Sequence, residues 1–176
     1  MHKFLDEGLK KVFESTELKF AYQISDGALY IRKSARRYNP NINTIMCKFH
    51  FYQAIQPKLY NKELVPKHNS EQQIPHKFKE YFNIKISSSL SSSENKIRDI
   101  IKYDIKILEI LPSKELYLAY LKIVLPFWKY FALKFHDYFW KTYLDLNNEN
   151  CLSGWQNFIK GVQPGTNNAL KGTNHA

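Results

Sequence analysis

Apolar positions along the chain change their period several times, and each change marks an element. Phe4, Leu5, Leu9, Val12 and Phe13 recur at helical spacing with Asp6, Glu7, Lys10 and Lys11 opposite, the pattern of an amphipathic helix ending near Ser15. The period then drops to two: Leu18, Phe20, Tyr22 and Ile24 alternate with Lys19, Ala21 and Gln23, which predicts a strand with one buried face. Ser25 and Asp26 stand where strand gives way to helix, and either can cap a helix starting near Ala28. The apolar face of that helix reads as Ala28, Ile31, Ala35 and Tyr38, with Arg32, Lys33, Arg36 and Arg37 lying away from it. Asn39, Pro40 and Asn41 end it, and residues 42–47 form a short buried strand. Strand, helix and strand at this spacing predict a parallel crossover, which is almost always right-handed.

Beyond this unit the pattern is mostly helical. Residues 49–60 read as a helix that Pro57 ends or kinks, and residues 63–75 as a polar, proline-bearing loop. Six serines around Leu90, at residues 87–93, form the one low-complexity stretch, a flexible linker or loop and the natural internal boundary. Residues 94–111 read as a helix, although their β-branched content pulls the other way. Ser113 caps a further helix through Leu125, and residues 127–144 carry an aromatic side chain almost every turn. Residues 147–150 read as a loop, Trp155, Phe158 and Ile159 as a short helix, and Pro164 with Gly165 as a turn. The chain shows no internal repeat.

Composition narrows the class. A chain of 176 residues with 44% hydrophobic and 15% aromatic content is one domain's worth of globular protein. Its 26 Lys and Arg against 16 Asp and Glu give a formal charge of +10, which suits an acidic partner: nucleic acid first, an anionic membrane second. Cys47 and Cys151 alone make no disulfide framework, so a reducing intracellular compartment is expected. His2, Lys3, Asp6 and Glu7 interrupt any apolar leader, and the most apolar passage, residues 116–128, is broken by Lys122 and Pro126. The expectation is a soluble protein with no membrane partner.

Four features bear on chemistry. Asp26 follows the first strand, where open α/β sheets place their sites, and Gly27 beside it permits close backbone approach. As a helix cap it needs no ligand; as a site residue it suits Mg²⁺. Cys47 and His50 form a C-x-x-H pair after the second strand, which zinc accepts only if two further ligands join it; a buried thiol and a hydrogen-bonded imidazole are the plainer alternative. Arg32, Lys33, Arg36 and Arg37 form a basic face that either contacts phosphates or is simply solvated. The aromatics of residues 117–143 read as core rather than as a base-stacking surface. No Gly-rich phosphate loop, G-x-S-x-G, H-E-x-x-H or paired C-x-x-C occurs.

Two passages carry a family resemblance. SDGALYIRKSARRYNPNINTIMCKFHFYQAI resembles the segment of Mutator-like element (MULE) transposases in which an Asp-Gly opens a helix, a Pro marks its end and a strand leads into C-x-x-H. WQNFIKGVQPGTNNALKGTNHA is similar to that family's second marker, a Trp-led helix followed by a T-N-N-x-x-E-x-x-N block. The resemblance covers residues 18–176. It implies an α/β chain, predominantly helical overall: a partial RNase H-like core, a two-stranded parallel remnant in β-α-β order, with a large all-helical insertion. It places that core and the C-x-x-H at residues 1–86, a Ser-rich linker at 87–93, and the insertion with the returning T-N-N block at 94–176.

For function, the resemblance implies DDE chemistry for cut-and-paste DNA transposition, in which two Mg²⁺ ions held by three carboxylates activate a nucleophile and stabilise the leaving oxygen. Asp26 matches the second carboxylate, and Cys47 and His50 match the C-x-x-H. The third carboxylate falls on Lys171, whose ammonium repels the cation a Glu would hold. No acidic residue lies between Asn150 and Ala176, and the strand of the first carboxylate finds no match. The expectation is an inert, transposase-derived protein of the nucleus that keeps DNA affinity through Arg32, Lys33, Arg36 and Arg37, binds Mg²⁺ weakly at Asp26, and self-associates through its open sheet edge. The alternative is a basic helical protein-interaction module without nucleic-acid function.

Overall fold

A computed structural model describes residues 22–25, 28–38, 40, 42–67, 74–88, 95–145, 151–152 and 154–156. Expectations for the helix at residues 4–15, for Asp26, the loop at 147–150, Phe158, Ile159 and Lys171 lie outside the described residues. Two strands, β1 (Tyr22–Ser25) and β2 (Asn43–Met46), flank helix α1 (Leu29–Tyr38). The strands pair in parallel, with Tyr22 opposite Asn43 and Ser25 opposite Met46. The crossover read from the change of period is therefore present, and among the described residues the sheet has two strands.

Five helices follow. They are α2 (Lys48–Tyr60), α3 (His76–Ser88), α4 (Lys96–Ile110), α5 (Lys114–Phe131) and α6 (Leu133–Phe139), which runs into a π-helical turn at Trp140–Leu144. The α4 terminus is set by Asn95, whose Oδ1 accepts the Arg98 N–H at 3.1 Å, and that of α5 by Ser113, whose Oγ accepts the Leu116 N–H at 3.3 Å. Each cap satisfies a backbone donor that the first turn leaves without a partner.

Three departures from the pattern have physical causes. The α5 helix runs through Pro126 rather than ending at Leu125, while α2 reaches Tyr60 with Pro57 inside it, the range the pattern gives. Pro126 is exposed, and the next two residues, Phe127 and Trp128, are fully buried. Their packing outweighs the one backbone bond that a proline removes. The α3 helix, which the pattern did not assign, is held by Phe78 against Phe127 and Phe131 of α5. Ser87 and Ser88 belong to it, so the expected linker starts as helix. Trp155 lies outside any helix, held by its stacking on Phe51.

The helical half shares one core. Ile97, Ile100, Ile101, Ile105 and Leu108 line the inner face of α4, and Tyr117, Leu121, Val124 and Trp128 that of α5. Burial of five such side chains stabilises by several kcal/mol in total, at ~1.5–3 kcal/mol each, which explains a helix built from β-branched residues. The chain then returns to the sheet: Trp155 stacks on Phe51 of α2 with ring centroids 4.5 Å apart, and Met46 of β2 donates its N–H to the Gly154 carbonyl at 3.2 Å. Gly154 has φ 91°, and a Cβ there would sit 2.5 Å from the Thr44 carbonyl oxygen. Only glycine fits against β2 at that point.

Candidate functional site

The crossover presents the basic helix. Ala28, Arg32 and Ala35 fall on one face of α1 at steps of four and three, and Ala35 is fully buried against the sheet. Arg32 is buried with them at 2% exposure. Its Nε and Nη2 donate to Thr44 Oγ1 of β2 at 3.2 and 2.9 Å, and Arg36 Nη2 donates to the same oxygen at 3.3 Å. Burial, and then the Arg36 guanidinium, lowers the Arg32 pKa, opposed in part by the Cys151 thiol. The expectation that Arg32 lies away from the inner face is thus corrected. Spacing already placed it inside, one turn from Ala28; its charge alone suggested otherwise. Arg32 pins the helix to the strand, leaving Lys33, Arg36 and Arg37 exposed.

Cys47 is fully buried between β2 and α2, at the helix N-cap, and its side chain makes no capping bond. Its N–H donates to the Ser25 carbonyl at 2.7 Å, which ties the carboxyl ends of the two strands together. His50 follows in the first turn, edge-on to Phe49 at 5.3 Å between ring centroids. Its Nδ1 is buried without a hydrogen-bond partner. Among the described residues no three His, Cys, Asp or Glu side chains converge to hold a metal. Cys47 and His50 are therefore joined by no further zinc ligand there. For Mg²⁺ the described residues likewise offer no carboxylate set, and Asp26 and Lys171 lie outside them.

Two buried carboxylates that the sequence reading passed over sit on α4. Asp104 is fully buried; its Oδ1 accepts from the Tyr81 and Tyr120 hydroxyls at 2.6 and 2.9 Å and its Oδ2 from Trp128 Nε1 at 2.9 Å. Glu109 accepts from the Tyr52 hydroxyl, and Lys48 Nζ lies 2.5 Å from its other oxygen. Burial first, and the adjacent carboxylates second, push the phenols of Tyr52, Tyr81 and Tyr120 far above their usual range. These phenols stay protonated and act as donors, so both clusters tie helices together and offer no free base. A signal was present: Asp104 lies on the stripe Ile97, Ile101, Asp104 and Leu108, where a core residue belongs.

The arrangement is thus a basic helix locked onto a parallel strand pair, next to a buried C-x-x-H and backed by an aromatic helical core. Comparison with protein-family models, with curated proteins and with solved structures finds no match to this chain.

Proposed function

We propose that this chain is a MULE transposase-derived protein that binds DNA through the exposed cations of α1 and has lost strand-transfer chemistry. The observation that carries the reading is the α1 surface: Lys33, Arg36 and Arg37 are exposed on a helix whose position Arg32 fixes through Thr44. Cations on a rigid element track a phosphate backbone without first losing much conformational freedom. The formal charge of +10 supplies the long-range attraction, and the nuclear setting follows from the resemblance alone. The parallel crossover and the C-x-x-H after β2 agree with the sequence resemblance, and the RNase H-like relation remains part of this proposal.

Catalysis is not proposed. A two-metal reaction needs carboxylates converging on the scissile phosphate, and the resemblance leaves Asp26 as the one matching carboxylate, with Lys171 at the sequence position of the third. Purified chain is expected to bind duplex DNA with an affinity that falls steeply as salt rises, and to show no nicking with Mg²⁺ or Mn²⁺. Metal-dependent nicking abolished by Asp26→Ala would overturn the loss of chemistry. No DNA binding at low salt would favour the alternative, a helical protein-interaction module.

A further inference from the structure

The α5 helix has two apolar faces, and among the described residues only one is covered. Its inner face carries Tyr117, Leu121, Val124 and Trp128 into the core. Beside it, Leu116, Ala119, Ile123, Pro126 and Tyr130 follow one another at steps of three, four, three and four residues. That spacing makes a continuous stripe along the helix. All five are exposed: Leu116 at 51%, Ile123 at 55% and Tyr130 at 56%, with Ala119 and Pro126 also in the exposed class. Glu115, Lys122 and Lys129 border the stripe on one side, each seven residues from the next, and all three are exposed.

We propose that this stripe is the contact through which two copies of the chain pair, α5 crossing α5 in antiparallel orientation about Ile123. The stripe is self-complementary about that residue. Leu116 lies seven residues before Ile123 and Tyr130 seven after, so a two-fold axis through Ile123 sets Leu116 against Tyr130 of the partner subunit. Ala119, small and one turn from the axis, lets the helices approach closely. The charges select the orientation. Antiparallel pairing sets Glu115 against the partner's Lys129, twice by symmetry, and only Lys122 meets its own copy. Parallel pairing would instead lay this charged flank beside the opposite flank of the partner's helix, the apolar side marked by Tyr120, where no opposite charge meets it. An anionic membrane or an acidic helix of another protein would also meet the lysines, but neither accounts for the Glu115 and Lys129 spacing about the stripe's centre.

The pairing is independent of DNA binding, because α1 and α5 present different surfaces. A stripe on one helix is smaller than the roughly 800 Å² per partner of a standard interface, so dissociation in the range of about 10–100 µM is expected. Sedimentation of the full chain across concentration should show a species of twice 20.9 kDa. Ile123→Asp should weaken it at least about 30-fold, as for a central interface residue, with Tm unchanged because the side chain is exposed. Glu115→Lys should weaken it about threefold to tenfold, and adding Lys129→Glu should restore it.

Several outcomes overturn the proposal. One is a monomer at all concentrations; another is a dimer indifferent to Ile123→Asp. A charge swap that fails to restore pairing removes the antiparallel arrangement. A monomer whose Tm falls with Ile123→Asp places another part of the same chain on the stripe. A monomer that binds anionic vesicles through Ile123 assigns it to a membrane.

Discussion

The crossover and the helical half hold themselves together by different means. In the crossover, position is set mainly by backbone, with Arg32 on Thr44 the side-chain lock of α1: the β1–β2 ladder, Cys47 N–H on the Ser25 carbonyl, Met46 N–H on the Gly154 carbonyl, and the small residues Ala35, Ser25 and Gly154 that let chains approach. In the helical half, position is set by side chains: Phe127, Trp128, Phe135 and Phe139 fill the core, and Asp104 gathers two phenols and an indole from neighbouring helices. Backbone-defined regions tolerate little change of shape, while side-chain-defined regions depend on protonation and volume. The exposed cations sit on the first kind of region, where a surface substitution leaves the frame intact.

Alkaline pH should break the comparison most strongly. The phenols of Tyr81, Tyr117 and Tyr143 are all raised, chiefly by burial, so each contributes stability that is complete below about pH 10 and is lost as pH climbs toward its folded value. Between pH 10 and 11 the unfolded phenols ionise while the folded ones do not. Stability should fall by about 1 kcal/mol per phenol over that interval, about 3 kcal/mol for the three, in denaturant titrations followed by near-UV circular dichroism. The helical half, which contains all three, should lose its aromatic signal first.

Next comes Asp104→Ala, which strands three buried donors. It should cost about 3 kcal/mol by chemical denaturation, with Asp104→Asn costing less because the amide oxygen still accepts. Gly154→Ala acts on the other half. With φ at 91° and the Thr44 carbonyl 2.5 Å from the new Cβ, it should cost about 2 kcal/mol or more and raise amide exchange at Met46. The smallest effect is the double substitution of Lys33 and Arg37 by Ala, which spares the Arg36 bond to Thr44. It should move stability by under about 0.5 kcal/mol yet lower DNA affinity at every sequence and flatten its salt dependence, by roughly one unit of slope for each phosphate contact removed.

Much of this was legible in the sequence where the signal was periodic. Alternation at Leu18–Ile24 and the helical stripe from Ala28 gave the crossover, because burying one face of each element admits few other arrangements. The cap at Ser113, which stands before an apolar run, and the apolar stripe of α4 are legible in the same local way. What stayed hidden depends on partners far along the chain. Arg32 is held by Thr44, Asp104 by Tyr81, Tyr120 and Trp128, and Gly154 by β2; none of these pairings has a local pattern. Pro126 misled for the opposite reason. Its local preference is strong, and the burial of Phe127 and Trp128 outweighs it.

The central claim is that α1 carries a phosphate-binding surface on a frame that no longer performs chemistry. Its most direct test is duplex DNA affinity measured against salt concentration, for the natural chain and for the Lys33 and Arg37 double alanine variant. The account predicts a linear fall of log affinity with log salt for the natural chain and a weaker, flatter line for the variant at unchanged Tm. Identical lines for the two proteins, or no binding at low salt, would contradict it.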